Sequence, residues 1–228
     1  MELALTSLPK PPGPNFDRAA PIYQAAEYLS LGPLLQRTRT ALLNQLSNPH
    51  HALVLGDGDG RFLEQLLLRY PACKTVAVDT SAAMLTRLRH RVLCSVPNAA
   101  ARLSTLQLSA LELDPEALSP QPDLIVTHFF LDCLTQPEVD ALTSRLATQL
   151  APGAAWLLSD FAIPQRPLLR PLGRLYIRSL YLAFRVLTGL RVTRLPDAHS
   201  ALRRAGLRRI ARRTFLFGLL YTELWQRE

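Results

Sequence analysis

The stretch "HALVLGDGDGRFLEQLL", residues 51–67, restricts the fold more than any other part of the chain. A short apolar strand, His51–Leu55, runs directly into Gly56, Gly58 and Gly60. A helix from Arg61 to Tyr70 follows at once, with Phe62, Leu63, Leu66 and Leu67 on its inner face. Glycine at such a junction permits positive φ and lets another group approach the main chain. A second strand, "CKTVAVD" at 73–79, ends on Asp79, where a carboxylate can accept hydrogen bonds from both hydroxyls of a ribose. Strand, glycines, helix and acid in this register point to a nucleoside-containing ligand.

The same alternation continues. Ser81 can cap a helix that runs to about Val96. Strands are expected at 102–108, 123–129 and 153–161, with a helix from Gln136 to Leu150 that Pro152-Gly153 ends. Short apolar strands alternating with helices predict an α/β fold, a doubly wound and mostly parallel Rossmann-like sheet with helices on both faces. The chain changes character after Phe161. Helices are expected at 172–188 and near 196–205, then strands at Leu207–Phe215 and Leu219–Gln226, joined around Gly218 as an antiparallel hairpin. At the other end, four prolines in residues 1–15 predict a disordered lead, and two short helices at 16–30 and 33–47 are separated by Gly32-Pro33. Residues 16–228 read as a single domain, with a helical lid inserted at 166–205.

No run of about 18 apolar residues is present, so no membrane span is expected. The N-terminus has neither a basic n-region nor a long apolar core, so no secretory signal is expected. Cys73, Cys94 and Cys133 are odd in number and form no C-x-x-C, which argues against a disulfide framework or a zinc site. No metal-ligand spacing appears, no metal is expected, and a cytoplasmic protein fits.

Charge is unevenly spread. From Phe161 onward 14 arginines face three acids, whereas residues 1–160 carry 12 basic and 15 acidic residues. Arg166, Arg170, Arg174 and Arg178 are four apart and, if the helix extends back that far, share one face, interleaved with Leu, Tyr and Ile. Two readings follow. The segment is a lid, its apolar side on a substrate and its arginines in water; or 166–188 makes peripheral contact with an anionic membrane. Nucleic acid is not expected, because no recognised module accompanies the arginines.

The dinucleotide fingerprint G-x-G-x-x-G would need a third glycine where Arg61 stands. Asp57 and Asp59 in the loop would repel a pyrophosphate. A cofactor with a positive centre and no phosphate fits better, namely S-adenosylmethionine. The chain here resembles the class I S-adenosylmethionine-dependent methyltransferases. "ALVLGDGDG" is similar to their first motif and "VAVDTSAAML" to their second. "LSALEL" resembles the segment flanking the adenine, and "PDLIVTHFFLDCL" and "LAPGAAWLLSDF" the fourth- and fifth-strand motifs. The C-terminal "LLYTELWQR" is like the family's last strand. "FDRAAPIYQAAEYLSLG" is most similar to the N-terminal helix of the quinone-biosynthesis C-methyltransferases. The resemblance implies a cofactor site made of Tyr23, Gly56, Asp57, Gly58, Gly60, Asp79, Thr80, Met84, Ser109, Ala110 and Thr127. Two positions depart from it. Val54 replaces an acid two residues before the first glycine, a contact Asp57 is placed to supply, and Ser109 replaces an acid before the adenine-flanking Ala110.

Methyl transfer needs alignment and a dry site, and a proton acceptor only when the nucleophile carries a proton. His128 and Asp132, in "THFFLDC", are the candidate bases. Three readings therefore stand: a methyltransferase acting on a small apolar or anionic acceptor, a non-catalytic S-adenosylmethionine-binding protein, and a nicotinamide-dependent oxidoreductase.

Overall fold

The structure, a computed structural model, describes Leu31 and residues 33–228. The proline-rich lead, the 16–30 helix and Tyr23 lie outside the described residues. Helix α1 (Leu34–Thr40) is shorter than the helix expected over 33–47, and Leu43–Gln45 forms a separate 3-10 turn. Leu42, Leu43 and Leu46 all enter the core.

The sheet is built from β1 (His51–Leu55), β2 (Lys74–Asp79), β3 (Leu103–Gln107), β4 (Leu124–His128), β5 (Ala155–Phe161), β6 (Leu207–Phe215) and β7 (Leu220–Arg227). Their order is β3-β2-β1-β4-β5-β7-β6. The first five are parallel, and β7 runs antiparallel to both β5 and β6. The expected doubly wound sheet with a C-terminal antiparallel pair is present.

Helices α2 (Arg61–Arg69) and α3 (Ala82–Ser95) cover one face, and α4 (Gln136–Thr148) and α6 (Ala198–Arg204) cover the other. The central strands alternate between two cores. Ala52 and Val54 of β1 join Phe62 and Leu66, while Leu53 and Leu55 join Val139 and Trp156. Burial on both faces is why these strands read as unbroken apolar runs. Two punctuation signals act as expected. Ser81 Oγ accepts the Met84 N–H at 3.1 Å, and Thr135 and Glu138 make a capping box at the start of α4.

Helix α5 (Arg170–Thr188) stands apart from these layers. Ile177 and Tyr181 on its inner face form a third core with Leu190 and Val192, against Cys133 and Phe161. The helix therefore lies beside the C-terminal ends of β4 and β5. Its range corrects the arginine pattern: Arg166 precedes the helix and stacks over the Phe217 ring, 5.6 Å from its centroid.

Candidate functional site

The order reverses between β1 and β4, and the crevice beyond the strand ends at such a point is where open α/β sheets bind ligands. Four neighbouring strands deliver residues to it. The glycine loop follows β1, Asp79 ends β2, Asp132 follows β4 and Asp160 lies near the end of β5.

Gly56, Gly58 and Gly60 all have positive φ, at +66°, +59° and +81°. A Cβ on Gly56 would collide with the Phe130 ring, and one on Gly60 would stand 2.8 Å from Leu88 Cγ and 3.0 Å from Leu88 Cα. Close approach to these two glycines is thus made by the protein's own side chains. The loop acids are also engaged inward. Asp57 Oδ2 accepts the Leu63 N–H at 2.9 Å, at the start of α2, where helix dipole and carboxylate suit each other. Asp59 lies between Arg61 and Arg91, each 3.0 Å away. The expected repulsion of a pyrophosphate is therefore corrected for Asp59, because two guanidiniums neutralise it.

Asp79 is half-buried, and its Oδ1 accepts the Ser81 N–H at 2.8 Å, which fixes the carboxylate at the crevice edge. Thr80 is exposed beside it, and Met84 is buried in the first turn of α3. On the β3 side Ser109 Oγ accepts the Leu111 N–H at 3.3 Å. Arg145 donates to the carbonyls of Ala110 and Leu111, each at 2.9 Å, and so fixes this loop from α4.

Two expected site residues are placed elsewhere. Thr127 is fully buried, and its hydroxyl accepts the Trp156 indole N–H at 2.9 Å. Strand alternation turns its side chain toward Trp156 in the core. His128 points to the opposite face, edge-on to Phe62 with ring centroids 4.3 Å apart. Burial, and secondarily Arg39, hold its pKa well below the ordinary 6.5, so the ring is neutral. Neither ring nitrogen has a hydrogen-bond partner among the described residues. A sealed imidazole is poorly placed to take a proton from a substrate.

Asp132 is better placed, and it has a partner that the sequence reading missed. Asp160 Oδ2 accepts the Asp132 N–H at 3.2 Å, and Asp160 Oδ1 accepts the Phe161 N–H at 2.8 Å. Both carboxyls are buried. Burial pushes Asp132 up to about 6, and burial together with the Asp132 charge holds Asp160 well above the usual carboxylate range. Tyr181 of α5 donates its hydroxyl to the Asp132 carbonyl at 3.0 Å. The Cys133 thiol reaches Asp132 Oδ1 at 3.6 Å and is pushed up by burial and by Asp132, Asp160 and Asp79. Asp79 at the end of β2, Asp132 after β4 and Asp160 in β5 therefore lie at the same edge of the sheet. The available signal for Asp160 was its position near a strand end, like that of Asp79.

Residues 53–155 match a family model described as a methyltransferase domain, and this span holds the glycine loop, Asp79, Asp132 and β4. These residues form a methyltransferase domain. The domain is similar to the trans-aconitate 2-methyltransferase of Methylobacterium nodulans, 35% identical over 133 residues, or 58% of this chain and 46% of that protein. The chain spans about half the length of the curated relatives it matches. An O-methyltransferase family protein from Burkholderia thailandensis superposes with a TM-score of 0.69 at 18% identity, over 94% of this chain and 64% of that one. The N-methyltransferase NodS from Bradyrhizobium japonicum, solved with S-adenosyl-L-homocysteine, gives 0.56 at 15% identity over 85% and 84%. At such identities the two structures speak to the fold. The quinone-enzyme similarity concerns residues 16–32, of which 16–30 and Gly32 lie outside the described residues.

The methyltransferase domain thus accounts for the residues its motifs share, and its chemistry fits the crevice. A sulfonium and an α-amino group are cationic, and the groups gathered at the strand ends are carboxyls.

Proposed function

We propose that the protein transfers a methyl group from S-adenosylmethionine to a small acceptor at the C-terminal ends of β4 and β5, beneath α5. The observation that carries this reading is the placement of Asp79, Asp132 and Asp160 at the C-terminal ends of neighbouring parallel strands beside the glycine loop, with Asp160 bound to the Asp132 N–H. S-adenosylmethionine supplies there a methyl group already activated on sulfur. Asp79 holds the ribose, and Gly58, Asp57, Thr80, Met84, Ser109 and Ala110 shape the rest of the cofactor site. The segment 166–205 acts as the lid. Its Ile177 and Tyr181 exclude water from the reacting atoms, which strengthens each polar contact inside.

Asp132 is the proton acceptor, because burial raises its carboxyl to about 6, which leaves it ionised at neutral pH and able to take a proton. Two acids at this position disfavour a polycarboxylate. Of the apolar and anionic acceptors, a neutral one with an ionisable O–H or N–H fits best. Such an enzyme works in the cytoplasm, on dissolved acceptors or those presented at a membrane surface.

Calorimetric titration with S-adenosylmethionine and with NAD tests the cofactor, and S-adenosylhomocysteine release with panels of neutral and carboxylate acceptors tests the chemistry. Binding of NAD alone would overturn the reading. The sealed position of His128 favours one alternative, a non-catalytic S-adenosylmethionine-binding protein. That alternative predicts tight binding with no turnover on any panel.

A further inference from the structure

We propose that α5 and the β6–β7 hairpin tip dock this protein onto an anionic lipid surface. The inference stands independently of the methyl-transfer reading, since it concerns the outer face of α5. Leu168, Leu172, Leu175, Leu182 and Val186 are between 62% and 91% exposed. Their spacing of four, three, seven and four residues puts them on one line along α5 and the turn before it. The helix buries a different side, with Gly173, Ile177, Tyr181 and Thr188 facing the protein. It is therefore apolar on two faces, and among the described residues only the inner one is packed against.

Arg174, Arg178 and Arg185 run beside the exposed line. No acid occurs between Asp160 and Asp197, and none of these arginines has an ion-pair partner among the described residues. The arginines of β6 differ. Arg209 and Arg212 bind the buried Glu223 at 2.9 and 3.0 Å, and the charged row protects the free edge of the sheet.

The hairpin tip adds a second observation. Leu216 and Phe217 adopt φ of +46° and +56°, a region bulky residues avoid, and Phe217 is 68% exposed. The Arg166 guanidinium over the Phe217 ring brings this tip to the start of the leucine line. An apolar stripe edged by unpaired guanidiniums, with a projecting aromatic at one end, matches the acyl–headgroup boundary of an anionic bilayer. A second copy of the helix would bring no acid to the arginines, and a nucleic acid would leave the leucines in water.

The test is sedimentation of the full chain with phosphatidylcholine vesicles, alone and with phosphatidylglycerol, at low and high salt. Binding to the anionic vesicles at low salt is expected, weakened at high salt. R174Q/R178Q/R185Q should lower that binding by about 100-fold, converting about 1 kcal/mol per basic residue near the surface. L172S/L175S/L182S should abolish it at either salt while leaving the thermal melt unchanged. No anionic binding at low salt overturns the proposal, as do leucine variants that bind like the parent. Sedimentation velocity showing a dimer that the leucine changes dissociate, with no vesicle binding, overturns it in favour of a second copy. Duplex DNA binding lost in the arginine variants alone, again without vesicle binding, does so in favour of nucleic acid.

Discussion

Residues 51–161 and the C-terminal third use apolar and charged side chains in opposite ways. In the first region, strands are buried on both faces, and the loop charges are neutralised where they stand, as Asp59 is by Arg61 and Arg91. In the second, α5 packs along one side only and leaves leucines and arginines to solvent. A leucine count or a net charge would not separate them. The difference lies in whether each group has a partner within the fold, and that decides which region holds the molecule together and which is available to contact something else.

The largest effect should come from the first region. Phe62 is fully buried against β1, β4 and His128, and Phe62→Ala should cost about 3–5 kcal/mol in urea unfolding. A loss below about 1 kcal/mol would show that the α2 core is not packed as described.

The junction between the regions should respond to pH. The folded pKa of Asp132 is about 6 against an ordinary 3.8, so the folded state holds its proton over that window. Stability should therefore fall as pH rises from about 4 to about 6, by up to about 3 kcal/mol at neutral pH. Asp132→Asn should reduce that slope and leave the part that the buried Asp160 contributes. His128 acts the other way. Its folded pKa is depressed below 6.5, so protonation favours the unfolded chain and stability drops as pH falls below about 6.5. Denaturation midpoints across pH for Asp132→Asn and His128→Leu separate the two contributions, and parallel profiles would contradict the burial of both.

Cofactor affinity should distinguish the regions next. Asp79→Ala is expected to weaken S-adenosylmethionine binding by about 1–3 kcal/mol, through loss of a charged acceptor. Tyr181→Phe, which removes the bond to the Asp132 carbonyl, should change that affinity by less than about 0.5 kcal/mol. Calorimetry on both variants checks this; equal losses would mean that α5 belongs to the cofactor site. The smallest effect is expected at Leu175, where Ala should leave stability within about 0.5 kcal/mol, because the side chain is already in water.

Much of the first region was legible because its signals are local. Ser81 caps its helix with the residue three positions on, and the β1 run shows burial on both faces without knowledge of its neighbours. The glycine loop was legible as a strand–helix turn but not in its contacts. Phe130 and Leu88, which fill the space beside Gly56 and Gly60, arrive from other elements. Thr127 was assigned to the cofactor by its place in a motif, and the Trp156 indole on β5 claims its hydroxyl instead. Asp160 escaped notice because its meaning depends on the Asp132 N–H across the β4–β5 junction.

By itself, the sequence determined the order of strands and helices, the parallel sheet and the crevice at the end of β1. Periodicity, glycine and proline act over a few residues, and handedness rules carry them to topology. Tertiary structure alone decided which side of α5 is buried. Its leucines, tyrosines and isoleucine surround much of the helix, so sequence period leaves two apolar faces equivalent. Docking against Cys133 and Phe161 chose the one with Ile177 and Tyr181, because it fits over the β4 and β5 ends, and left Leu172, Leu175 and Leu182 outside.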